Sequence, residues 1–324
     1  MHGYRKFCNK IYQATKYVLG TLDPSFTPEP TAGKTGNESL AEHWILHKMT
    51  IAAKEINQAL ADREFSTATS IAYQYWYTNL CDVYIENSKS LIRDGDAQTR
   101  HSAINTLYTA LEAGLTMIHP FMPFLTEELW QRLPRRPGDT NPTIVKAKYP
   151  TYDPALDDPA ADEAYELVLA VSKGVRSLLA EYAIKDHGLL SIQLFSATAL
   201  DTCTAQLPSI RSLSGKGAAA IAILDGRAAK PAGCVPFAVS ASATVFLLVK
   251  GRVDIDQEIE KARKKMERAG EVVKKQRGIL ADEAFQTKVK EDLQEREREK
   301  LRDAEKELEE MERSLEEFER LKLE

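Results

Sequence analysis

The sequence predicts a mainly α-helical protein: an antiparallel helical bundle, then a small α+β domain, then an antiparallel coiled-coil hairpin. Three observations support this prediction. Apolar residues recur at helical spacing over residues 1–133, short β-like apolar runs follow residue 190, and apolar heptads fill the chain after Val253. At 324 residues, the chain is long enough for two or three domains.

The composition is that of a globular protein, with 43% hydrophobic and 28% charged residues. A formal net charge of −5 argues against wholesale coating of nucleic acid, and no apolar run approaches the length of a membrane span. Met1 leads straight into helical periodicity, without the apolar stretch of a signal peptide. Four scattered cysteines suit packed thiols in a reducing compartment. We therefore expect a cytoplasmic protein.

The first 133 residues predict the helices of the bundle. Helices are expected over residues 4–20, 39–62, 65–93 and 97–118. Gly20 ends the first, and Asp94-Gly95-Asp96 ends the third. Residues 21–38 contain three prolines and two glycines and predict a loop. Helices joined by short loops are typical of an antiparallel bundle.

The stretch from His119 to Trp130 predicts a tight corner that closes the bundle. Pro120 and Pro123 remove backbone donors and disfavour helix at the residues before them. We therefore expect one helix to end here and another to begin with Thr126 as its cap. Two glutamates beside a histidine could form a site, but they serve a helix start better. Neighbouring helices would bury the corner's apolar residues, Phe121, Phe124, Leu125 and Trp130.

Residues 134–159 contain six prolines and predict a linker. The α+β domain is expected over 160–250. It would hold a helix over 160–182, strands within 190–195, 218–224, 235–239 and 244–249, and one helix near 200–213. Its low charge suggests a spacer.

Residues 251–324 predict the coiled-coil hairpin. Two heptad runs separated by a short break most simply fold back on each other, each extending on the order of 40 Å. The first run is Ile255, Ile259, Ala262, Met266, Ala269 and Val273, and the second is Leu301, Ala304, Leu308, Met311, Leu315 and Phe318.

Charge distinguishes the two arms. Residues 261–277 hold eight bases and two acids, a net charge of +6, whereas residues 282–324 hold ten bases and seventeen acids, a net charge of −7. One interpretation is a salt-bridged hairpin with solvated outer faces. The other is that the first arm presents a basic stripe to a polyanion, and complementary arms allow both. The candidate backbone-binding residues are Lys261, Lys264, Lys265, Arg268, Lys274, Lys275 and Arg277.

Three other patterns have ordinary explanations. Gly33-Lys34-Thr35 resembles the end of a phosphate-binding loop, but Pro28 occupies the position of the required glycine. His43 and His47 have metal-ligand spacing but no third ligand. Asp82 and Glu86 could serve acid–base chemistry, and surface pairing with bases such as Lys89 is the better explanation. We predict no catalytic residues and no metal site in this chain.

Seven stretches, taken in order, match one family. They are Arg5 to Tyr17, His43-Trp44-Ile45-Leu46, Tyr75-Trp76, Cys81-Asp82-Val83-Tyr84-Ile85-Glu86, Thr126-Glu127-Glu128-Leu129-Trp130, Val175-Arg176-Ser177-Leu178 and Val253-Asp254-Ile255-Asp256. Together they resemble the C-terminal portion of valyl-tRNA synthetases, class I enzymes with a helical anticodon-binding domain and a C-terminal coiled coil. The corner that begins at Thr126 is shared with the leucine and isoleucine enzymes, whereas the stretch from Cys81 to Glu86 favours the valine enzyme.

The resemblance implies tRNA for valine and the catalytic portion of the synthetase as partners. The family's nucleotide-binding signatures, H-I-G-H and K-M-S-K-S, do not occur in this sequence, and no segment resembles its editing domain. The chain alone should therefore bind tRNA and charge nothing. It would hold no cofactor, while the parent enzyme uses ATP with magnesium. For that parent, the resemblance adds mitochondria to the cytoplasm as an expected location.

The first helix carries side chains that suit an anticodon loop, whose unpaired bases are read by stacking and by hydrogen bonds to their edges. Candidates for base edges and phosphates, and for stacking, are Arg5, Asn9, Lys10, Tyr12, Gln13, Lys16 and Tyr17. For the two tyrosines, a core position with the hydroxyl at the rim is an equally good explanation. The alternatives for the whole chain are a coiled-coil module that recruits a protein, or the equivalent part of a leucine or isoleucine synthetase.

Overall fold

The computed structural model describes residues 2–282, 285 and 290–323. They form two compact units. The first consists of residues 1–173 and 197–215, and the second of residues 174–196 and 216–324. The predicted fold class is confirmed: a helical bundle, a small four-stranded sheet and a long helical hairpin. The domain boundaries expected from the sequence stay a prediction.

The bundle helices lie close to their predicted bounds. They are α1 (His2–Thr21), α2 (Leu40–Ala61), α3 (Phe65–Gln74), α4 (Ile85–Asp94) and α5 (Ala97–Ile118). Ser39 begins α2 with a capping box, in which the Glu42 side chain reaches back to the Ser39 backbone. Asp96 accepts a hydrogen bond from the Thr99 backbone and caps α5.

The long third helix of the prediction is α3, a π-helical stretch (Tyr75–Tyr84) and α4 in succession. Three buried side chains of the π-helical stretch donate hydrogen bonds to backbone carbonyls of α5. Tyr75 bonds Ala110, Trp76 bonds Gly114, and Tyr84 bonds Ala103. These bonds satisfy the polar ends of large rings inside the bundle, which is the usual condition for burying tyrosine and tryptophan.

The corner after α5 differs from its prediction. Helix α6 (Pro123–Trp130) begins at Pro123, where the missing backbone donor costs nothing in a first turn. Thr126 therefore lies inside α6, and its buried hydroxyl donates to the Met122 carbonyl. The expected burial is also wrong for Phe124, which is 91% exposed, while Trp130 is buried as expected.

The proline-rich segment after α6 is anchored to the bundle. Its one short helical turn is a 3₁₀ helix (Ile144–Lys146). The Tyr149 hydroxyl donates to the Met117 carbonyl, and Thr50 accepts the Asp153 backbone N–H. Helix α7 (Pro159–Glu181) follows. The single helix expected near 200–213 is two helices, α8 (Ala197–Ala205) and α9 (Leu207–Ser214).

The second unit contains a mixed sheet in the order β2-β1-β4-β3. Strand β1 pairs parallel with β2 and antiparallel with β4, which pairs antiparallel with β3. Leu190 and Ile192 of β1 lie opposite Leu247 and Val245 of β4, and all four are buried. The strands are β1 (Gly188–Leu194), β2 (Ala218–Asp225), β3 (Cys234–Ser240) and β4 (Ala243–Leu248).

The hairpin consists of α10 (Ile255–Ala281) and α11 (Glu291–Leu323). Their antiparallel direction is confirmed by ion pairs, because Asp256 at the start of α10 meets Lys322 at the end of α11 at 2.6 Å. Farther along, Arg277 pairs with Glu305 at the same distance. Predicted heptad positions are buried between the arms, namely Ala262, Ala269, Val273, Ala304 and Phe318. The sequence places the break after Gly278, around Asp282-Glu283; α10 continues past Gly278 to Ala281, and Glu283 lies outside the described residues.

Candidate nucleic-acid interface

The candidate anticodon residues of α1 divide into two groups. Arg5, Asn9, Tyr12 and Lys16 follow one another at intervals of four, three and four residues, which places them on one face of the helix. All four are exposed, and Tyr12 retains 42% of its accessible surface. The buried residues Ile11, Ala14 and Val18 lie on the opposite side. Gln13 is also exposed.

The exposed face of α1 borders a shallow groove. Arg5, Asn9 and Tyr12 line it from α1, and Leu125 lines it from α6. Lys6 and Cys8 complete the lining. The groove thus combines two cations, an amide and an aromatic ring, which can pair with phosphates, hydrogen-bond base edges and stack on a base.

Lys10 and Tyr17, the other two candidates on α1, already have protein partners. The Lys10 ammonium lies 2.6 Å from Asp82 and 3.2 Å from the centre of the Tyr77 ring. Burial alone would lower the pKa of Lys10, but the hydrogen bond and the charge of Asp82 outweigh it and raise that pKa. The Tyr17 ring lies beneath the Lys89 ammonium at 5.6 Å.

The candidate residues of α10 also do not share one face. Lys261, Lys264, Arg268 and Lys275 follow at intervals of three, four and seven, opposite the buried row of Ala262, Ala269 and Val273. This outer row is exposed and extends over about 21 Å.

The remaining candidates of α10 lie to the sides of the outer row. Lys265 pairs with Glu181 at the end of α7, and Arg277 pairs with Glu305 of α11. Lys274 is exposed. In the outer row itself, the exposed Lys261 and Lys264 pair, among the described residues, with the acids Glu258 and Glu260 one turn away on α10. Exposed pairs of this kind are weak and can exchange for another anion.

Comparison with known proteins gives the family. Residues 42–194 match the profile of the anticodon-binding domain of tRNA ligase. The chain is 44% identical to the mitochondrial valine–tRNA ligase of Saccharomyces cerevisiae over 326 residues. This alignment covers 100% of this chain and 29% of the relative. This chain corresponds to the C-terminal part of a valine–tRNA ligase.

Other valine–tRNA ligases are similar to this chain as well. That of Schizosaccharomyces pombe is 44% identical over 247 residues, covering 76% of this chain and 25% of the relative. That of Homo sapiens is 35% identical over 310 residues, covering 94% of this chain and 24% of the relative. The chain thus spans less than a third of the length of these relatives.

Two features of the interface have no counterpart in the sequence prediction. The exposed rings of Tyr73 and Tyr77 are stacked 5.2 Å apart, and both belong to the segment that matches the anticodon-binding domain. Their spacing of four residues was the available signal, because residues four apart are neighbours on a helix. The contribution of Leu125 to the groove is a tertiary feature without a local signal.

The motifs that the sequence analysis set aside have structural roles in this chain. The Thr35 hydroxyl donates to Glu38 at 2.9 Å, so the Gly33-Lys34-Thr35 loop binds the chain's own carboxylate. His43 pairs with Asp158 at 3.0 Å, and His47 Nδ1 accepts the Asp158 backbone N–H. Among the described residues, no group of three or more His, Cys, Asp or Glu is arranged to hold a metal ion.

The expected surface pairing of acids in the third helix is confirmed, since Glu86 binds Lys89 at 2.6 Å. The cysteines are free thiols, and burial raises the pKa of Cys81 to about 12 and that of Cys203 to about 11. No helix within the described ranges combines the length and hydropathy that a bilayer span requires.

Proposed function

We propose that this chain is the tRNA-binding part of a valine–tRNA ligase and that its bundle receives the anticodon loop of tRNA(Val). The observation that carries this proposal is the exposed row of Arg5, Asn9, Tyr12 and Lys16, whose first three residues line the groove between α1 and α6. Proteins read single-stranded RNA loops by stacking on aromatic rings and by bonding base edges, and this row supplies both kinds of contact.

The hairpin has a second role in the proposal: it braces the body of the tRNA. The outer row of α10 (Lys261, Lys264, Arg268 and Lys275) follows a line of about 21 Å and carries four positive charges. Base-paired RNA offers proteins its shape and its phosphates rather than its sequence. The outer row therefore contributes affinity, while the groove on the bundle contributes selectivity.

In this proposal, the reaction itself takes place in the rest of the enzyme. A catalytic portion that uses ATP with magnesium would attach valine to the tRNA held by this chain. The chain itself is proposed to bind tRNA without charging it, in the cytoplasm, or in mitochondria if the parent enzyme acts there. Its partners are then tRNA(Val) and the catalytic portion.

A second candidate function follows from the charge of the second arm of the hairpin. This arm, residues 282–324, carries a net charge of −7, which suits capture of a basic protein by the hairpin. Such a module would show no preference among tRNAs.

Competition binding distinguishes the two functions. Labelled tRNA(Val) is bound to the 324-residue chain and displaced by unlabelled tRNA(Val), either unaltered or with a substituted anticodon. Anticodon reading predicts that the altered competitor is weaker by at least tenfold. Equal competition by both RNAs would contradict a role of the bundle in anticodon recognition.

A further inference from the structure

Tyr73 and Tyr77 differ from three buried tyrosines of the bundle. Tyr75, Tyr84 and Tyr108 are buried, and each donates its hydroxyl to a backbone carbonyl. Tyr73 and Tyr77 are 44% and 37% exposed, and in the described part of the chain their hydroxyls have no hydrogen-bond partner. No hydrogen bond of the hydroxyl therefore explains a tyrosine at either exposed position.

These two rings form an ordered aromatic surface. They stack 5.2 Å apart with their planes 15° from parallel. The Phe7 ring of α1 contacts Tyr73 at 4.7 Å and an angle of 49°, which supports the stack from the side of the core. A ring held in place by neighbours loses little conformational entropy when a ligand stacks on it.

The local backbone is unusual at the same place. The helix changes to π-helical geometry at Tyr75, between the two tyrosines, and keeps it to Tyr84. Extended π-helical geometry is rare, and π-helical turns occur frequently at functional sites. This observation is independent of the exposure of the rings.

Lys10 supplies a cation at this surface. Its ammonium lies over the Tyr77 ring and bonds Asp82, whose side chain is 52% exposed. A lysine on a flexible stem can turn from that carboxylate to a nearby phosphate. Aromatic rings combined with a cation are the usual surface for an unpaired nucleotide.

We propose that Tyr73 and Tyr77, supported by Phe7, form a stacking platform for one unpaired base of a bound RNA, with Lys10 binding the phosphate beside it. The platform lies on the α3 side of α1, apart from the groove lined by Leu125 on the α6 side. This inference rests on the proposed function, because the RNA is the anticodon loop of tRNA(Val). It adds a second contact for the same loop.

The test uses the full 324-residue chain and tRNA(Val) carrying 2-aminopurine at single positions of the anticodon loop. Stacking on an aromatic ring quenches the emission of this base analogue. In the wild-type chain we expect binding to quench one loop position through the platform, in addition to any position quenched by Tyr12. Tyr73→Leu together with Tyr77→Leu should abolish that quenching and weaken affinity roughly 5- to 150-fold, the loss expected for one base–aromatic stack.

Two further variants make the result specific. Tyr73→Phe with Tyr77→Phe keeps the rings and should retain the quenching and affinity within about twofold of the wild type. Tyr152→Leu is the matched control, because Tyr152 is also 37% exposed beneath a lysine, Lys54, in the same unit. It should leave RNA binding unchanged.

The outcomes separate this inference from the proposed function. Unchanged affinity and quenching in the double leucine variant, with binding lost in Tyr12→Leu, would overturn the platform and leave the groove intact. Unchanged RNA binding in all of these variants would contradict the platform and the groove together. Far-UV circular dichroism and thermal unfolding confirm that each variant is folded.

Discussion

The Trp76 indole lies directly against the backbone of Gly114 and donates its Nε1 hydrogen to the Gly114 carbonyl at 2.8 Å. A Cβ at position 114 would lie 3.1 Å from the ring, closer than ordinary van der Waals contact. This contact joins the π-helical stretch to α5 in the centre of the bundle. Trp76 lies in the same continuous run of helix as Tyr73 of α3 and as Tyr77 and Asp82 of the π-helical stretch. The packing at Gly114 therefore holds this run in position.

The first prediction concerns this contact. We expect Gly114→Ala to lower the free energy of unfolding by about 1 kcal/mol, since overpacking costs about 1–3 kcal/mol while alanine gains up to about 1 kcal/mol in helix propensity. Urea unfolding followed by tryptophan fluorescence measures this, because Trp44, Trp76 and Trp130 all lie in the first unit. Gly20→Ala is the control, since nothing lies within 4 Å of a Cβ there, and it should not destabilise the protein. Equal effects of the two substitutions would contradict the close packing.

The second prediction concerns Glu42, which is fully buried in the first unit. One carboxylate oxygen accepts from Ser102 at 2.6 Å and the other accepts from the Ser39 backbone and hydroxyl. Burial raises the pKa of Glu42 above its usual value of 4.5, and the hydrogen bonds from Ser102 and Ser39 offset only part of this. The folded state therefore binds the proton of this carboxyl more strongly than the unfolded state does.

A raised carboxyl pKa means that the folded state binds more protons than the unfolded state above pH 4.5. We expect the stability of the wild type, measured relative to Glu42→Gln, to fall as pH rises from 4.5 through the raised pKa. Urea unfolding of both proteins at several pH values gives this difference. Ser102→Ala removes one of the offsetting hydrogen bonds and should steepen the trend. A difference that grows in favour of the wild type with rising pH would show that the hydrogen bonds dominate.

The third prediction concerns the outer row of α10. Replacing Lys264, Arg268 and Lys275 by glutamine should weaken tRNA binding. It should also reduce the magnitude of the slope of log affinity against log salt by roughly 2–3, because binding releases fewer counterions when phosphate contacts are lost. Nitrocellulose filter binding at a series of salt concentrations measures this slope.

Arg263→Gln with Arg277→Gln, which removes two positive charges instead of three, is the control for that experiment. These arginines contact Glu319 and Glu305 of α11, so their loss should affect the hairpin and leave the salt slope unchanged. If the slope falls in both variants in proportion to the charges removed, net charge rather than the outer row governs binding.

Sequence periodicity predicted most of the fold because its signals are local. The heptads from Ile255 to Val273, for example, place Ala262 and Ala269 in the hairpin core as expected. Burial at the corner was not predictable in this way, because the exposure of Phe124 depends on which neighbouring elements reach α6. For the site, helical spacing identifies which of the α1 candidates share a face. It does not indicate that Lys10 is held by Asp82, since these residues are 72 positions apart.

The last prediction concerns His119 at the corner. Its Nδ1 lies 2.7 Å from the Thr126 hydroxyl, and that hydroxyl donates to the Met122 carbonyl at 2.9 Å. Burial lowers the pKa of His119 below its usual value of 6.5, against a smaller opposing effect of the Glu127 charge. Between the lowered pKa and 6.5, the unfolded state therefore binds more protons than the folded state, and stability is lost as pH falls through this window.

We expect His119→Asn to flatten that part of the profile of stability against pH, measured by urea unfolding between pH 5 and 8. An identical loss of stability with falling pH in the wild type and His119→Asn would assign the titration to another group.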